Sequence, residues 1–237
     1  MILEAGDCAA LDEVDDRPAS IRIDDVLKRA KGIYKHSFRS LLGAGVLLIA
    51  LVALVNAAVA AGLQLVGAGY VIRFCLGQVL LVWLMLGTMD FMVKTARGSR
   101  RGWATLLGGM PHYGSGLAIW AACFAPLALA ALAAGALGIS PMLVAAALAT
   151  SWLAVSFLIW IPALLALVDD QLTALAALAR AASYARRNLV PLVGLAAIST
   201  GILAVSCLPL GLGLPLGVPF VLLVGTVAYL RDRANQE

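Results

Sequence analysis

Six runs of apolar residues alternate along the chain with short segments in which charged and apolar positions interleave. The runs cover approximately residues 41–66, 71–93, 117–137, 142–168, 189–208 and 216–230. They are unbroken stretches of Leu, Ala, Val and Gly rather than the alternation over roughly ten-residue segments that a β-barrel requires, so they predict membrane-crossing helices. The links Gly67–Tyr70, Gly138–Pro141 and PLGLGLP are short and apolar, which folds the six runs into three hairpins.

Each hairpin follows a segment with amphipathic spacing. In residues 20–40, Ile23, Val26, Leu27, Ala30, Ile33, Tyr34 and Phe38 recur at helical intervals, and Lys28, Arg29, Lys31, Lys35 and Arg39 occupy the rest. In residues 171–187, Leu172, Leu175, Leu178 and Ala182 share one face and Thr173, Arg180 and Arg187 another. The middle segment, 100–109, groups Trp103, Leu106, Leu107 and Met110 beside Arg100 and Arg101. Ser20 or Asp24 is placed to cap the first helix and Ser99 the second. A single helix from Val26 to Val66 would be about 60 Å long, twice the hydrocarbon thickness. Residues 22–38, 100–109 and 171–187 are therefore expected to lie parallel to the membrane. Their basic residues Lys28, Arg29, Lys35, Arg39, Arg100, Arg101, Arg180 and Arg187 would sit at anionic headgroups. Breaks are expected at Gly43 and Gly45, at Pro111 with Gly114 and Gly116, and at Asn188 with Pro191. Pro126 and Pro162 are expected to kink their helices. Ala53, Ala57 and Ala61 form a small-residue face suited to close helix approach.

Composition agrees. Of the 237 residues, 62% are hydrophobic and 13% charged, against about 45–50% and about 25% in soluble domains. Topology follows from charge. With the N-terminal end in the cytoplasm, segments 1–40, 94–116, 169–188 and 231–237 hold 7, 4, 3 and 2 basic residues, 16 of the 17 in the chain, and only Arg73 falls outside. The positive-inside rule thus gives six spans with both termini cytoplasmic. The predicted fold is an all-α membrane protein of three hairpins, each preceded by a cytoplasmic interfacial helix, forming one domain over residues 20–237. Residues 1–19, with six acids and one Arg, read as a disordered acidic tail; they lack the basic and apolar regions of a signal peptide. The net charge of +4 comes from residues flanking apolar runs, so it points to membrane lipids and away from nucleic acid. Cys8, Cys75, Cys123 and Cys207 have no metal or redox spacing and read as reduced thiols.

Candidate chemistry is sparse. Asp169 and Asp170 are adjacent, so on a helix they point about 100° apart; they read as the start of a helix whose dipole they complement. Asp90 has Lys94 four residues on, the spacing of a helical ion pair. Arg73 reads as a cation snorkelling to outer headgroups. His36 and His112 have no companion ligands, so no metal or cofactor is expected. No nucleophile–base set, HExxH or phosphate-binding loop is present. Asn56, Gln64 and Gln78 read as inter-helix hydrogen-bonding groups; with Arg73 and Asp90 they are also the candidates for a polar path.

The segments ALARAASYARRNLVPLVGLA, PLGLGLPLGVPF and the closing YLRD at Tyr229–Asp232 resemble a broad group of bacterial multi-pass membrane proteins. That group includes YciC-like proteins and the membrane domain attached to some glycerophosphodiester phosphodiesterases. The resemblance covers mainly residues 171–232, where a helix closing in a basic–Asn pair like Arg187–Asn188 leads into a terminal hairpin. It implies a bacterial inner-membrane helical bundle and transfers no active-site residue. The expected function is that of a non-catalytic integral membrane protein acting through lipid and partner-protein contacts, as an accessory or scaffold subunit or a homo-oligomer. The alternative is a small-solute transporter or channel with a polar path through the bundle.

Overall fold

The computed structural model describes residues 21–65, 70–99, 103–138, 140, 142–143, 147, 151, 154–208 and 213–235. Among these residues every regular element is helical. The α-helices are α1 (Ile23–His36), α2 (Phe38–Leu65), α3 (Tyr70–Ala96), α4 (Tyr113–Ala136), α5 (Ile161–Asp169), α6 (Ala174–Arg187), α7 (Leu189–Cys207) and α8 (Leu214–Ala234). Five of them, α2, α3, α4, α7 and α8, are long and apolar enough to cross a membrane. The fourth predicted span, 142–168, falls partly outside the described residues. Its described end is a π-helical turn, Ser156–Trp160, running into α5. Pro162 explains the wide turn, because it has no N–H for an ordinary α-helical bond and its ring crowds the preceding turn.

The amphipathic helices are separate from the spans they precede, and the first break lies earlier than expected. Ser37 (φ −102°, ψ 18°) divides α1 from α2, so Gly43 and Gly45 lie inside α2. Asn188 (φ −117°, ψ 27°) divides α6 from α7, as expected, and Pro191 sits in the first turn of α7. At α1, Arg22 takes the N-cap position and Asp24 the first turn. The middle segment is not an α-helix. It forms two 3₁₀ turns, Trp103–Leu107 and Met110–His112. Its period is three rather than 3.6, so Leu106 is buried while Leu107 is exposed. The Gly114 and Gly116 pair does not break the chain, since α4 starts at Tyr113.

The expected face of α1 holds apart from Phe38, which is exposed, and that of α6 shifts. On α1, Val26 and Ala30 are fully buried, and Ile23, Leu27, Ile33 and Tyr34 pack on the same core. The cover is α8. Asp25 reaches Arg231 at 3.1 Å, the Tyr34 hydroxyl donates to the Leu216 carbonyl at 3.1 Å, and Tyr34 meets Phe220 edge to face at 5.3 Å. Arg231 and Leu216 lie at opposite ends of α8, so α1 runs lengthwise along that helix, which corrects the expectation that residues 22–38 lie parallel to the membrane. On α6 the buried stripe is Ala177, Ala181 and Tyr184, and Leu175 points outward. Alanines let α6 approach α5 closely, which a leucine stripe would prevent.

Close approach also explains the glycines. A Cβ on Gly45 would overlap the Pro215 carbonyl oxygen and the Pro219 ring, and one on Gly87 would overlap the Leu106 carbonyl. These contacts seat α2 against α8 and α3 against the first 3₁₀ turn. The expected alanine face behaves differently, because Ala53 and Ala57 stay exposed. In lipid, packing contacts rather than water exclusion hold helices together, so glycine contacts carry weight. We expect Gly45→Ala to lower stability by about 1–3 kcal/mol through overpacking, measured by unfolding in mixed micelles. Gly32→Ala, with open space around it, should be neutral or raise stability by up to about 1 kcal/mol.

Candidate functional site

The charged residues outside α1 gather where α3, α5, α6 and α8 end. α5 terminates at Asp169, and Asp170 follows as its C-cap. Gln171 adopts φ 52°, and α6 begins only at Ala174 with Thr173 as N-cap. The two acids therefore close one helix rather than open the next. A carboxylate at a helix C-terminus is opposed by the dipole, so these two need cations from elsewhere. Asp169, with 1% of its side chain exposed, accepts a two-pronged contact from Arg97 at 2.8 and 2.9 Å and a further bond from Arg233. Asp170 takes Arg180 at 3.2 Å, Arg233 at 2.6 Å and the Tyr229 hydroxyl at 3.0 Å. Asp170 stays in the right-handed helical region at φ −97°, ψ −2°, and both carboxylates reach the one Arg233 guanidinium.

Asp232, one residue before Arg233, is the second anchor. Asn188 donates to it from Nδ2 at 2.7 Å and to the Tyr184 carbonyl at 3.2 Å, and Arg187 reaches its other oxygen at 3.2 Å. The non-helical residue that separates α6 from α7 is thus fixed by the end of α8. Tyr184 stacks edge to face on Tyr229 at 5.7 Å. Burial, with the Asp232 charge second, holds the Tyr184 phenol well above its ordinary range. Its hydroxyl is buried with no hydrogen-bond partner among the described residues. Burial likewise raises Tyr34.

Beside this cluster lies a cleft of about 380 Å³ lined by Asp90, Lys94, Arg97, His112, Asp169 and Gln171, with the backbone of Gly108 and Gly109. Lys94 pairs with Asp90, the contact their spacing predicts. Asn56 instead bonds the Val52 carbonyl of its own helix at 2.8 Å and faces Gly77, about 20 Å along α3 from Asp90 at 1.5 Å per residue. Those two polar-path candidates do not converge. The side chains of Gln64, Arg73 and Gln78 lie outside the described residues, as do Arg100 and Arg101.

The eight basic residues assigned to headgroups divide. Lys28, Arg29, Lys35 and Arg39 are exposed and take part in none of the described ion pairs. Arg180 and Arg187 are committed to Asp170 and Asp232. Among the described residues no group of His, Cys, Asp and Glu could hold a metal, and Cys123 and Cys207 are free thiols. Sequence reading gave no part in this cluster to Asp25, Arg97, Asn188, Tyr229, Asp232 and Arg233. The available signal was complementarity: two acids close one apolar run, and YLRDR closes another.

Asp232→Ala should cost about 1–3 kcal/mol in mixed-micelle unfolding, since it removes the acceptor of one buried Asn188 N–H and the carboxylate that pairs with Arg187. Tyr184→Phe should be neutral or stabilising, because it removes an unpartnered hydroxyl. The raised Tyr184 pKa contributes stability that is fully present below the ordinary tyrosine value of about 10 and is lost progressively as pH rises from there toward the raised folded value. Wild type should therefore lose stability above that pH more steeply than Tyr184→Phe.

Comparison with known proteins finds no matching family model, no matching curated protein and no matching solved structure.

Proposed function

We propose that the protein is a non-catalytic, six-span protein of a bacterial inner membrane, with the segments before α2 and after α8 in the cytoplasm, acting through anionic lipid and a membrane partner. The observation that carries this reading is an imbalance of pairing. On α1, Lys28, Arg29, Lys31, Lys35 and Arg39 are exposed, and none joins a described ion pair, while Asp25, Asp90, Asp169, Asp170 and Asp232 are all consumed within the bundle. Asp24 is the one exposed acid on α1 outside these pairs, so five outward cations outnumber the anions that the described helix offers them. Each such cation costs about 2.5–3.5 kcal/mol at mid-membrane, and α1 follows α8 lengthwise, so its outward cations need anions beside them, as in a headgroup layer. There juxtamembrane cations gain about 1 kcal/mol each near anionic lipid.

The positive-inside count supports cytoplasmic ends, five span-length helices support a multi-pass protein, and the resemblance of residues 171–232 supports the bacterial setting. Replacing Lys28, Arg29, Lys31, Lys35 and Arg39 together with Gln should strip anionic lipid from protein purified in mild detergent, as read by native mass spectrometry. Reporter fusions after Ala234 and at Gly98 should both register as cytoplasmic. Unchanged lipid retention in the five-site variant would sink the lipid reading, and an external reporter at Gly98 would sink the topology.

A further inference from the structure

We infer that the cleft at the end of α3 is a binding site for a phosphoryl group, separate from the basic face of α1. The cleft measures about 380 Å³, within the usual range of ligand pockets of about 300–1,000 Å³. Its opening is set by exposed residues, Arg97, Gly108, Pro111 and Gln171, so a ligand has a way in.

Its chemistry is donor-rich. Lys94 gives one N–H to Asp90 and keeps two. Arg97 spends two N–H groups on Asp169 and keeps three. His112 is half-buried at the cleft wall and joins no described hydrogen bond. Three of the four carboxylate oxygens in the lining are already engaged. Asp169 is held by both Arg97 and Arg233, and Asp90 has one oxygen in its Lys94 contact. Charge tilts the same way, because Asp169 and Asp170 are shared by three arginines, Arg97, Arg180 and Arg233. The missing partner is an anion that offers several acceptor oxygens in different directions. A phosphoryl group does this; a planar carboxylate would satisfy the donors of one element and leave the other facing nothing.

The ammonium of Lys94 and the free edge of Arg97 come from one helix, and the His112 imidazole comes from the second 3₁₀ turn on the other side. The site is therefore assembled from two elements that the Gly87 and Gly109 contacts hold together. The group could be carried by a lipid headgroup or by a free phosphate, and the two are separable by experiment.

The test titrates the full-length protein in neutral detergent, in one arm with inorganic phosphate and in another with dihexanoyl phosphatidic acid, reading heat and thermal shift. Saturable binding is expected in at least one arm. Arg97→Gln and His112→Gln should each weaken it about tenfold or more, the scale of one lost charge-assisted hydrogen bond. Arg39→Gln, on the α1 face, should leave it unchanged. Response to the lipid alone assigns the site to a headgroup, response to phosphate alone to a free anion, and response to both to the phosphoryl group itself. His112→Gln breaks no described interaction, so it carries the test if Arg97→Gln does not fold. No saturable binding in either arm, or wild-type affinity in the His112→Gln variant, overturns the site.

Discussion

The rest of the structure depends on two carboxylates that cannot stay unpaired. Asp169 and Asp170 end a helix that is buried over Ile161–Leu167, with 1% and 7% of their side chains exposed. Helix geometry turns the dipole against them, and burial removes the water that would otherwise solvate them. Arg97, Arg180 and Arg233, with the Tyr229 hydroxyl, replace that water. Each comes from a different place in the chain: the end of α3, the middle of α6 and the end of α8. Satisfying two charges therefore brings four helices to one point.

Buried ion pairs cost desolvation and often add little net stability. What they fix here is arrangement. An apolar helix in lipid can slide or rotate with small penalty, because lipid and leucine are equivalent surroundings. The last turn of α8 removes that freedom, since Tyr229, Arg231, Asp232 and Arg233 bond Asp170, Asp25, Arg187 with Asn188, and Asp169 with Asp170. The same turn positions α1 through Asp25 and holds Asn188, the residue that separates α6 from α7. The Arg97 side of the cluster is also a wall of the donor-rich cleft, so packing and the proposed ligand site share one residue.

Much of the fold was legible in the sequence. Apolar runs predicted at 41–66, 71–93, 117–137 and 189–208 became helices at 38–65, 70–96, 113–136 and 189–207, because span length and hydropathy are local properties. The Asp90–Lys94 pair was legible for the same reason. The partners of Asp169 were not. They lie 72 and 64 positions away, and Asp25 is 206 from Arg231, separations at which periodicity carries no signal. Gly45 was misread as a break because glycine's low helix propensity is local information, whereas its contact with Pro215 is tertiary. The buried face of α6 was legible only in part: Leu172 and Leu178 pack on the core, but its fully buried positions are Ala177, Ala181 and Tyr184. Among packed helices a small side chain wins the inner position, and Leu175 is left facing out.

The central claim is that the end of α8 and the end of α5 are energetically coupled through charge. A double-mutant cycle on Asp169→Ala and Arg233→Ala, with unfolding free energies measured in mixed micelles, tests it most directly. The two changes should be non-additive, with a coupling energy of about 1–3 kcal/mol, as for residues in one ion-pair network. Additivity within about 0.5 kcal/mol would contradict it, and would mean that helix packing alone positions the end of the chain.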